Sequence, residues 1–465
     1  MKRQQDKLYL ILKKSYLCGL EFLKKILMKI INFCVNLVQK YLPEPFVLAI
    51  LLTLIAALTA MPICHQTPLE VVEHWGDGVW GLLAFSMQMS LILVCGATFA
   101  GAPAVKKGIH KLASLPKTPA SAIATVTLIS AVACWLNWGF GLIVGVILAK
   151  EVARVCKGVD YRLLIASAYS GFVVWHAGLS GSIPLTMATK GDALTNATNG
   201  ALTDPISVGA TIFAPQNLII VLLVIIAITI VNTLMHPKGE HVVCVDPELL
   251  YEKEESAPKT DNSPAAKLER SHLISILIAL IGFTYLIVKI GVRGGSVDLN
   301  AVIMLFLFTG VLFHGTPTAY VHAFTKSAGS AAGIMGIITG VGESGICYGT
   351  VISDACIGIS TPTTFPLLTF LCAAVLNLFV PSGGGHWAIQ APVMFTAGAD
   401  LGVDPGLTGI AIAWGDAWTN LIQPFWALPA LAIAKLNAKD IMGFCLIDLL
   451  ITGLIICGGL LIWAM

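Results

Sequence analysis

Asp416 lies inside an apolar run, Trp414-Gly-Asp-Ala-Trp-Thr-Asn-Leu-Ile-Gln-Pro424, and Thr419, Asn420 and Gln423 follow it at i+3, i+4 and i+7. On a helix that spacing lines one face. An acid at membrane depth is costly and is a functional hypothesis by default. Asp416 either carries a coupling cation, Na⁺ or H⁺, with Thr419 and Gln423 beside it, or hydrogen-bonds a neighbouring helix for structure. A second polar run, Trp175-His-Ala-Gly-Leu-Ser-Gly-Ser-Ile-Pro184, sets His176, Ser180 and Ser182 among Gly178, Gly181 and Pro184, which can unwind a helix. His176 reads equally as a satisfied core histidine and as a substrate or proton site. Glu343, in Gly340-Val-Gly-Glu-Ser-Gly345, is either another intramembrane acid or the end of a short helix.

Two glycine-broken segments precede these runs, one in each half of the chain. Val380-Pro-Ser-Gly-Gly-Gly-His386 joins a proline that ends a half-helix to three glycines that let backbone approach a ligand. The half-helix beginning near Trp387 would aim free N–H groups and its positive dipole end at an anion, with Ser382 and His386 adding side-chain donors. A tight turn between packed helices is the plain alternative. The partner segment, Trp135-Leu-Asn-Trp-Gly-Phe-Gly141, offers Asn137 and the same backbone freedom at Gly139 and Gly141. Backbone that leaves helical geometry within a bilayer survives only where protein or a water-filled cavity satisfies it. Paired breaks in two halves point to a transporter built from repeats.

Composition fits that reading. The chain of 465 residues is 56% hydrophobic and 12% charged, with mean hydropathy +0.84, against about 25% charged for soluble domains. A net charge of +2 gives no case for nucleic acid. The 12 cysteines lie mostly in apolar runs without a C-x-x-C pair, as buried thiols rather than metal ligands or disulfides. No Walker A loop, H-E-x-x-H or EF-hand pattern is present.

A span needs about 20 apolar residues. The candidates are 45–62, 79–100, 163–183, 209–235, 273–290, 299–315, 331–352, 408–431 and 441–463, about nine transmembrane helices. The stretches 121–149 and 364–398 are too long for one upright helix and too short for two, so both read as re-entrant hairpins. Basic residues flank the first on both sides (Lys106, Lys107, Lys111, Lys117; then Lys150, Arg154, Lys157, Arg162), so it enters from the cytoplasm. No Lys or Arg occurs between Lys326 and Lys435, so the second enters from outside. Gly158-Val-Asp160 recurs as Gly402-Val-Asp404, an offset of 402 − 158 = 244, and Gly139 and Gly141 map onto Gly383 and Gly385 at the same offset. The expected fold is an all-α polytopic membrane protein with two oppositely oriented hairpins in an inverted repeat. Residues 1–42 form a basic amphipathic interfacial helix, 43–235 the first repeat, 236–272 a polar cytoplasmic linker and 273–465 the second repeat. The N-terminus is cytoplasmic.

The runs Val380 to Pro392, Ala413 to Pro429 and Ala438-Lys-Asp-Ile-Met-Gly-Phe444 closely resemble the bacterial short-chain fatty-acid transporter family, with likeness from Tyr41 onward. The resemblance implies uptake of acetoacetate- and butyrate-like acids across the bacterial cytoplasmic membrane. It leads one to expect Gln at 386 and Glu at 416, where this chain has His386 and Asp416. The family in turn is similar to a superfamily of ion transporters, which implies paired hairpins, a homodimeric scaffold and elevator movement.

The expected protein is thus a secondary transporter without cofactor, embedded in lipid and coupled to Na⁺ or H⁺. The substrate carboxylate is expected at Ser382, Gly383, Gly384, Gly385, His386 and Asn420, with Asn137, Gly139, Gly141, His176, Ser180 and Ser182 completing the site and Asp416, Thr419 and Gln423 handling the ion. The rivals are a dicarboxylate or other organic-acid carrier on the same scaffold, and a membrane-embedded hydrolase using Ser382 or Ser180 with His176 or His386.

Overall fold

The computed structural model describes residues 45–81, 83–188, 202–237, 239–245, 263–294, 299–329, 357–378 and 383–465, with a few isolated positions besides. The expected interfacial helix at 1–42, the span 331–352 with Glu343, and Ser382 fall wholly or largely outside the described residues.

All regular structure among the described residues is helical. The first part comprises α1 (Pro45–Cys64), α2 (Pro68–Gly81), α3 (Leu83–Gly101), α4 (Pro103–Ala113), α5 (Pro119–Leu136), α6 (Trp138–Val155), α7 (Tyr161–Ser170), α8 (Ser182–Met187) and α9 (Pro215–Leu234). The second comprises α10 (Pro264–Glu269), α11 (His272–Ile287), α12 (Leu299–His314), α13 (Pro317–Ala328), α14 (Phe365–Asn377), α15 (Gly383–Asp400), α16 (Pro405–Thr419), α17 (Pro424–Ala434) and α18 (Ala438–Trp463). Five helical stretches among the described residues are long and apolar enough to cross a bilayer, six if the pair bent by 82° at Ala102 counts as one. The expected nine spans are therefore not nine long helices: 408–431 divides at Gln423, and α12 has 16 residues. The lysine-rich segment after α3 forms the amphipathic α4, started by Pro103 at its first turn.

Large apolar side chains stay exposed along whole helix faces. On α9 these are Ile219, Leu222, Leu223, Ile226 and Ile230, and on α11 Leu273, Ile276, Leu277, Leu280 and Ile281. Stripes this long do not persist on a surface in water but suit lipid chains.

The stretch 121–149 lies within α5 and α6, two helices of 18 residues joined at the single residue Asn137. A Cβ on Gly141 would strike the backbone of Cys134 and Ala133, and one on Gly145 would strike Ser130. Gly141 facing Cys134 and Gly145 facing Ser130 (141 + 134 = 145 + 130) means that the helices run back along each other. This is a hairpin, with each arm about 27 Å long at 1.5 Å per residue. The small residues are what let the arms approach.

The offset of 244 recurs in local geometry. Gly158 and Gly402 both take positive φ, +78° and +69°. Asp160 accepts from the N–H of Leu163 at 3.1 Å and Asp404 from that of Leu407 at 2.8 Å, each capping the helix that follows it. A Cβ on Gly171 would strike the backbone of Ser130 and Ala131, and one on Gly415, 244 residues later, would strike the Phe370 carbonyl and the Ala373 side chain, so both glycines sit at close helix crossings. The caps differ in one respect. Asp160 is buried, accepts from Val243 N–H at 2.9 Å and pairs with Arg162 at 2.9 Å, whereas Asp404 is exposed. Asp404→Ala is expected to cost about 1 kcal/mol, an ordinary cap. Asp160→Ala is expected to cost about 3 kcal/mol, because two more charged hydrogen bonds go with it. Equal melting temperatures for the two variants in detergent would contradict this.

Candidate functional site

The helix carrying His176 is tightened and then broken. After Ser170 the chain winds as a 3₁₀ segment over Gly171–Ala177, then turns at Gly178–Gly181 before α8. Close packing forces the turn: a Cβ on Gly178 would collide with the Trp135 carbonyl, and one on Gly181 with the carbonyl of His176. The result places the first residues of α8 over the His176 ring. Ile183 N–H donates to His176 Nε2 at 3.1 Å, and Ser182 Oγ lies 3.0 Å from the same nitrogen. A backbone N–H can only donate, so Nε2 is unprotonated and the ring proton sits on Nδ1. That Nδ1–H faces Asp416 Oδ2 at 2.6 Å. His176 is fully buried and stacks on Trp175 with ring centroids 4.0 Å apart.

The other carboxylate oxygen faces a second histidine. His386 Nδ1 is 3.3 Å from Asp416 Oδ1, without the alignment of a formed hydrogen bond. The opposite nitrogen, Nε2, is 2.6 Å from Gln390 Oε1, and Gln390 in turn donates its amide to the Thr369 carbonyl at 3.3 Å. That donation orients the amide so that its oxygen faces His386, and Nε2 must therefore bear a hydrogen. A neutral His386 would then turn a bare Nδ1 lone pair toward a carboxylate. The contact needs one proton, either on His386 as imidazolium or on Asp416 as the acid. Asp416, His176 and His386 are all at least 99% buried, so water cannot supply the missing donor cheaply.

The glycines of the second tip open α15: Gly383, Gly384 and Gly385 are its first three residues and His386 its fourth. Their N–H groups are those a helix leaves without internal partners. A Cβ on Gly383 would overlap Ser182 Oγ and come within 2.8 Å of His176 Cε1. The tip of the second half is thus seated on the broken helix of the first. The opposite arm, α14, ends at Asn377, whose amide nitrogen lies within reach of Asp416 O at 2.8 Å, Thr419 Oγ1 at 3.0 Å and Asn420 Oδ1 at 2.6 Å. Thr419 Oγ1 is also 3.1 Å from the Ala374 carbonyl, and Gln423 donates to the Asn377 carbonyl at 2.9 Å. Thr419 and Gln423 therefore tie the helix to the hairpin arm. Asn420 Nδ2 is a buried donor without a protein partner.

The first tip is better satisfied than its glycines imply. Asn137 Oδ1 accepts from Phe140 N–H at 3.1 Å and Ser180 Oγ from Trp138 N–H at 2.9 Å. Gly139 packs near Ile92, and Gly141 serves the close crossing of the arms. Ser182, His176, Gly383, His386 and Asp416 come together at one place, and Asn137, Gly139, Gly141 and Ser180 organise the adjoining hairpin. An aromatic cluster of Trp138, Phe172, Trp175 and Trp426, with ring centroids 5.4–6.2 Å apart, lies beside His176. Sequence reasoning missed Asn377 and Gln390, which carry no charge or glycine signal within their apolar helices.

With this geometry in view, comparison with known proteins is decisive. The family model described as short chain fatty acid transporter matches residues 26–463. The chain belongs to this family. A curated relative from Escherichia coli (strain K12) is 42% identical over 442 residues, 93% of this chain and 99% of its own length. One from Haemophilus influenzae is 40% identical over 443 residues, with the same coverage. Both are provisionally named short-chain fatty acid transporters. Among solved structures, the Alcanivorax borkumensis YdaH transporter is similar at 17% identity, covering 91% of this chain and 98% of its own, with a TM-score of 0.43. Neisseria gonorrhoeae MtrF, described within a class of antimetabolite efflux pumps, is 15% identical over 92% of this chain and 96% of its own, with a TM-score of 0.36. As a family member with several long apolar helices, the chain is a multi-pass membrane transporter.

Proposed function

We propose that this protein is a secondary active transporter of short-chain monocarboxylates such as butyrate and acetoacetate, driven by a proton held between His386 and Asp416. The contact that needs one proton, next to the N-terminal turn of α15, carries the reading. The substrate carboxylate lies at the free amides of Gly383 to Gly385, with Ser382, the protonated His386 and the spare amide of Asn420 as further donors. An anion at midplane costs about 3 kcal/mol or more, and fixed dipoles offset that cost only for an anion. The acyl tail meets the aromatic cluster beside His176. The two hairpins enter from opposite faces of the bacterial inner membrane, in an inverted repeat that moves as an elevator against a dimeric scaffold. Sodium fits the neighbourhood of Asp416 poorly. Both carboxylate oxygens face histidine nitrogens, and Thr419 Oγ1 already has Asn377 and Ala374 as partners.

The segments that build the site, 163–187 and 365–434, contain no Lys or Arg. A second carboxylate would find no cation there, which disfavours dicarboxylates. One observation favours an enzyme: Ser182 Oγ, His176 Nε2, His176 Nδ1 and Asp416 Oδ2 follow in the order of a hydrolytic triad, at 3.0 and 2.6 Å. Against it, the Nε2 lone pair that would take the serine proton already accepts from Ile183 N–H.

The test is radiolabelled butyrate uptake into proteoliposomes. An inward proton gradient is expected to drive accumulation, succinate not to compete, and His386→Gln to bind and exchange butyrate without responding to the gradient. No accumulation under a proton gradient, or unaltered proton drive in His386→Gln, would refute the coupling. Labelling of Ser182 by a fluorophosphonate would revive the hydrolase.

A further inference from the structure

A second acid is buried in the membrane part of the chain, apart from the site above. Asp448 lies well inside α18, a 26-residue helix, and is fully buried. Neither of its carboxylate oxygens has a hydrogen-bond partner. α18 packs against α9 and α7, whose Asn232 and Ser170 flank the carboxylate. Both lie close enough to reach it, but their best-aligned hydrogen bonds run elsewhere. Asn232 Nδ2 donates to Ser170 Oγ at 2.9 Å and to Thr127 Oγ1 at 3.4 Å. The Ser170 hydroxyl donates to the Ser167 carbonyl at 3.1 Å, and that of Thr127 to the Ile123 carbonyl at 2.8 Å. Asn232 Oδ1 is a third buried acceptor with no partner. The other titratable group near the carboxylate is the Cys445 thiol, one turn earlier on α18; the Tyr169 hydroxyl beside that thiol donates to Asn420 O at 2.5 Å.

The cluster is therefore oxygen-rich, and its best-aligned amide and hydroxyl hydrogens go to one another and to backbone carbonyls. Leaving buried acceptors empty is costly, and a lone buried carboxylate more so. One proton on Asp448, shared with Asn232 Oδ1, would serve two of the three empty oxygens. A cation would serve all three. Oxygen ligands of carboxylate, amide and hydroxyl type suit a hard ion and not a soft one. One carboxylate balances one positive charge, whereas a divalent ion would leave net charge buried in the bilayer.

We propose that Asp448, Asn232 and Ser170, drawn from three helices, bind a sodium ion. The site does not depend on what is transported. Ser170 is the last residue of α7, where the chain tightens into the segment that carries His176. An occupied site would brace that transition, so sodium would hold the helix break in place from its far end.

The experiment measures thermal unfolding of the purified full-length protein without substrate, in NaCl, KCl and choline chloride at equal ionic strength and fixed pH. Sodium alone is expected to raise the melting temperature saturably, by mass action on the folded state. Asp448→Asn is expected to abolish that rise and to melt no lower than wild type in sodium-free buffer, since the uncompensated acid is gone. Ser170→Ala keeps the charge, and is expected to raise the sodium midpoint about tenfold; it serves if Asp448→Asn does not fold. The proposal is overturned if wild type shows no sodium-specific rise, if Asp448→Asn keeps the wild-type midpoint, or if stabilisation follows pH alone in sodium-free buffer, which would make Asp448 a protonated acid. Because no substrate is present, this outcome is independent of the butyrate uptake test.

Discussion

Asp416→Asn is expected to lower butyrate uptake about 10²- to 10⁴-fold, the effect of losing a buried charged contact worth about 3–5 kcal/mol. The carboxylate takes the Nδ1–H of His176 on one oxygen and faces Nδ1 of His386 with the other. An amide has only one acceptor oxygen. If it serves His176, its NH₂ points at His386 and forbids the imidazolium; if it serves His386, it opposes the Nδ1–H of His176. The first orientation satisfies both rings only with His386 neutral, so the contact could no longer take up or release a proton. Asp416→Glu keeps both oxygens and the charge and is expected to retain measurable uptake. The readout is initial uptake rate normalised to folded protein in the membrane. Uptake within about threefold of wild type in Asp416→Asn would remove Asp416 from the mechanism.

The second large effect is expected from a single methyl group. Alanine is normally favoured over glycine in a helix by about 1 kcal/mol, so Gly383→Ala on helical grounds alone should stabilise α15. Here the added carbon overlaps Ser182 Oγ and lies 2.8 Å from His176 Cε1. The serine can rotate away. The imidazole cannot, because Asp416 at 2.6 Å, Ile183 N–H at 3.1 Å and the Trp175 ring hold it on three sides. The strain must go into the tip, at about 1–3 kcal/mol for overpacking, and uptake is expected to fall at least about tenfold. Ser182→Ala alone is expected to be mild, and the double variant Gly383→Ala/Ser182→Ala to recover part of the loss. Full uptake in Gly383→Ala, or no recovery in the double variant, would show that the tip does not bear on the His176 ring.

The hairpin at Asn137 and the broken helix at Gly178 to Gly181 are legible in the residues, because glycine clustered in an apolar run marks backbone that bends or packs closely. The matched turns at Gly158 and Gly402 are legible too, since positive φ restricts which residues can occupy those positions. The first tip is different. Its glycines suggest open backbone, yet Asn137 and Ser180 cap its amides, and a polar side chain 42 residues away leaves no local signature. Asp448 satisfies the same criterion as Asp416, an acid within a span, but no glycine or aromatic motif beside it distinguishes it from a structural acid.

By itself the amino-acid sequence determined that the chain crosses membranes, that it bends at Asn137 and breaks near Gly178, and that Asp416 and His176 lie at depth, because hydropathy and backbone chemistry are local properties. It could not decide which faces of the helices meet. In lipid both faces of a helix such as α9 are apolar, so no periodicity separates the buried Ile220 and Val224 from the exposed Ile219 and Leu223. Only the tertiary structure brings His176 and His386, 240 and 30 residues from Asp416, onto opposite oxygens of one carboxylate. The hydrogen-bond directions that call for a proton there, and the donor count that leaves Asp448 bare, exist only once those helices have packed.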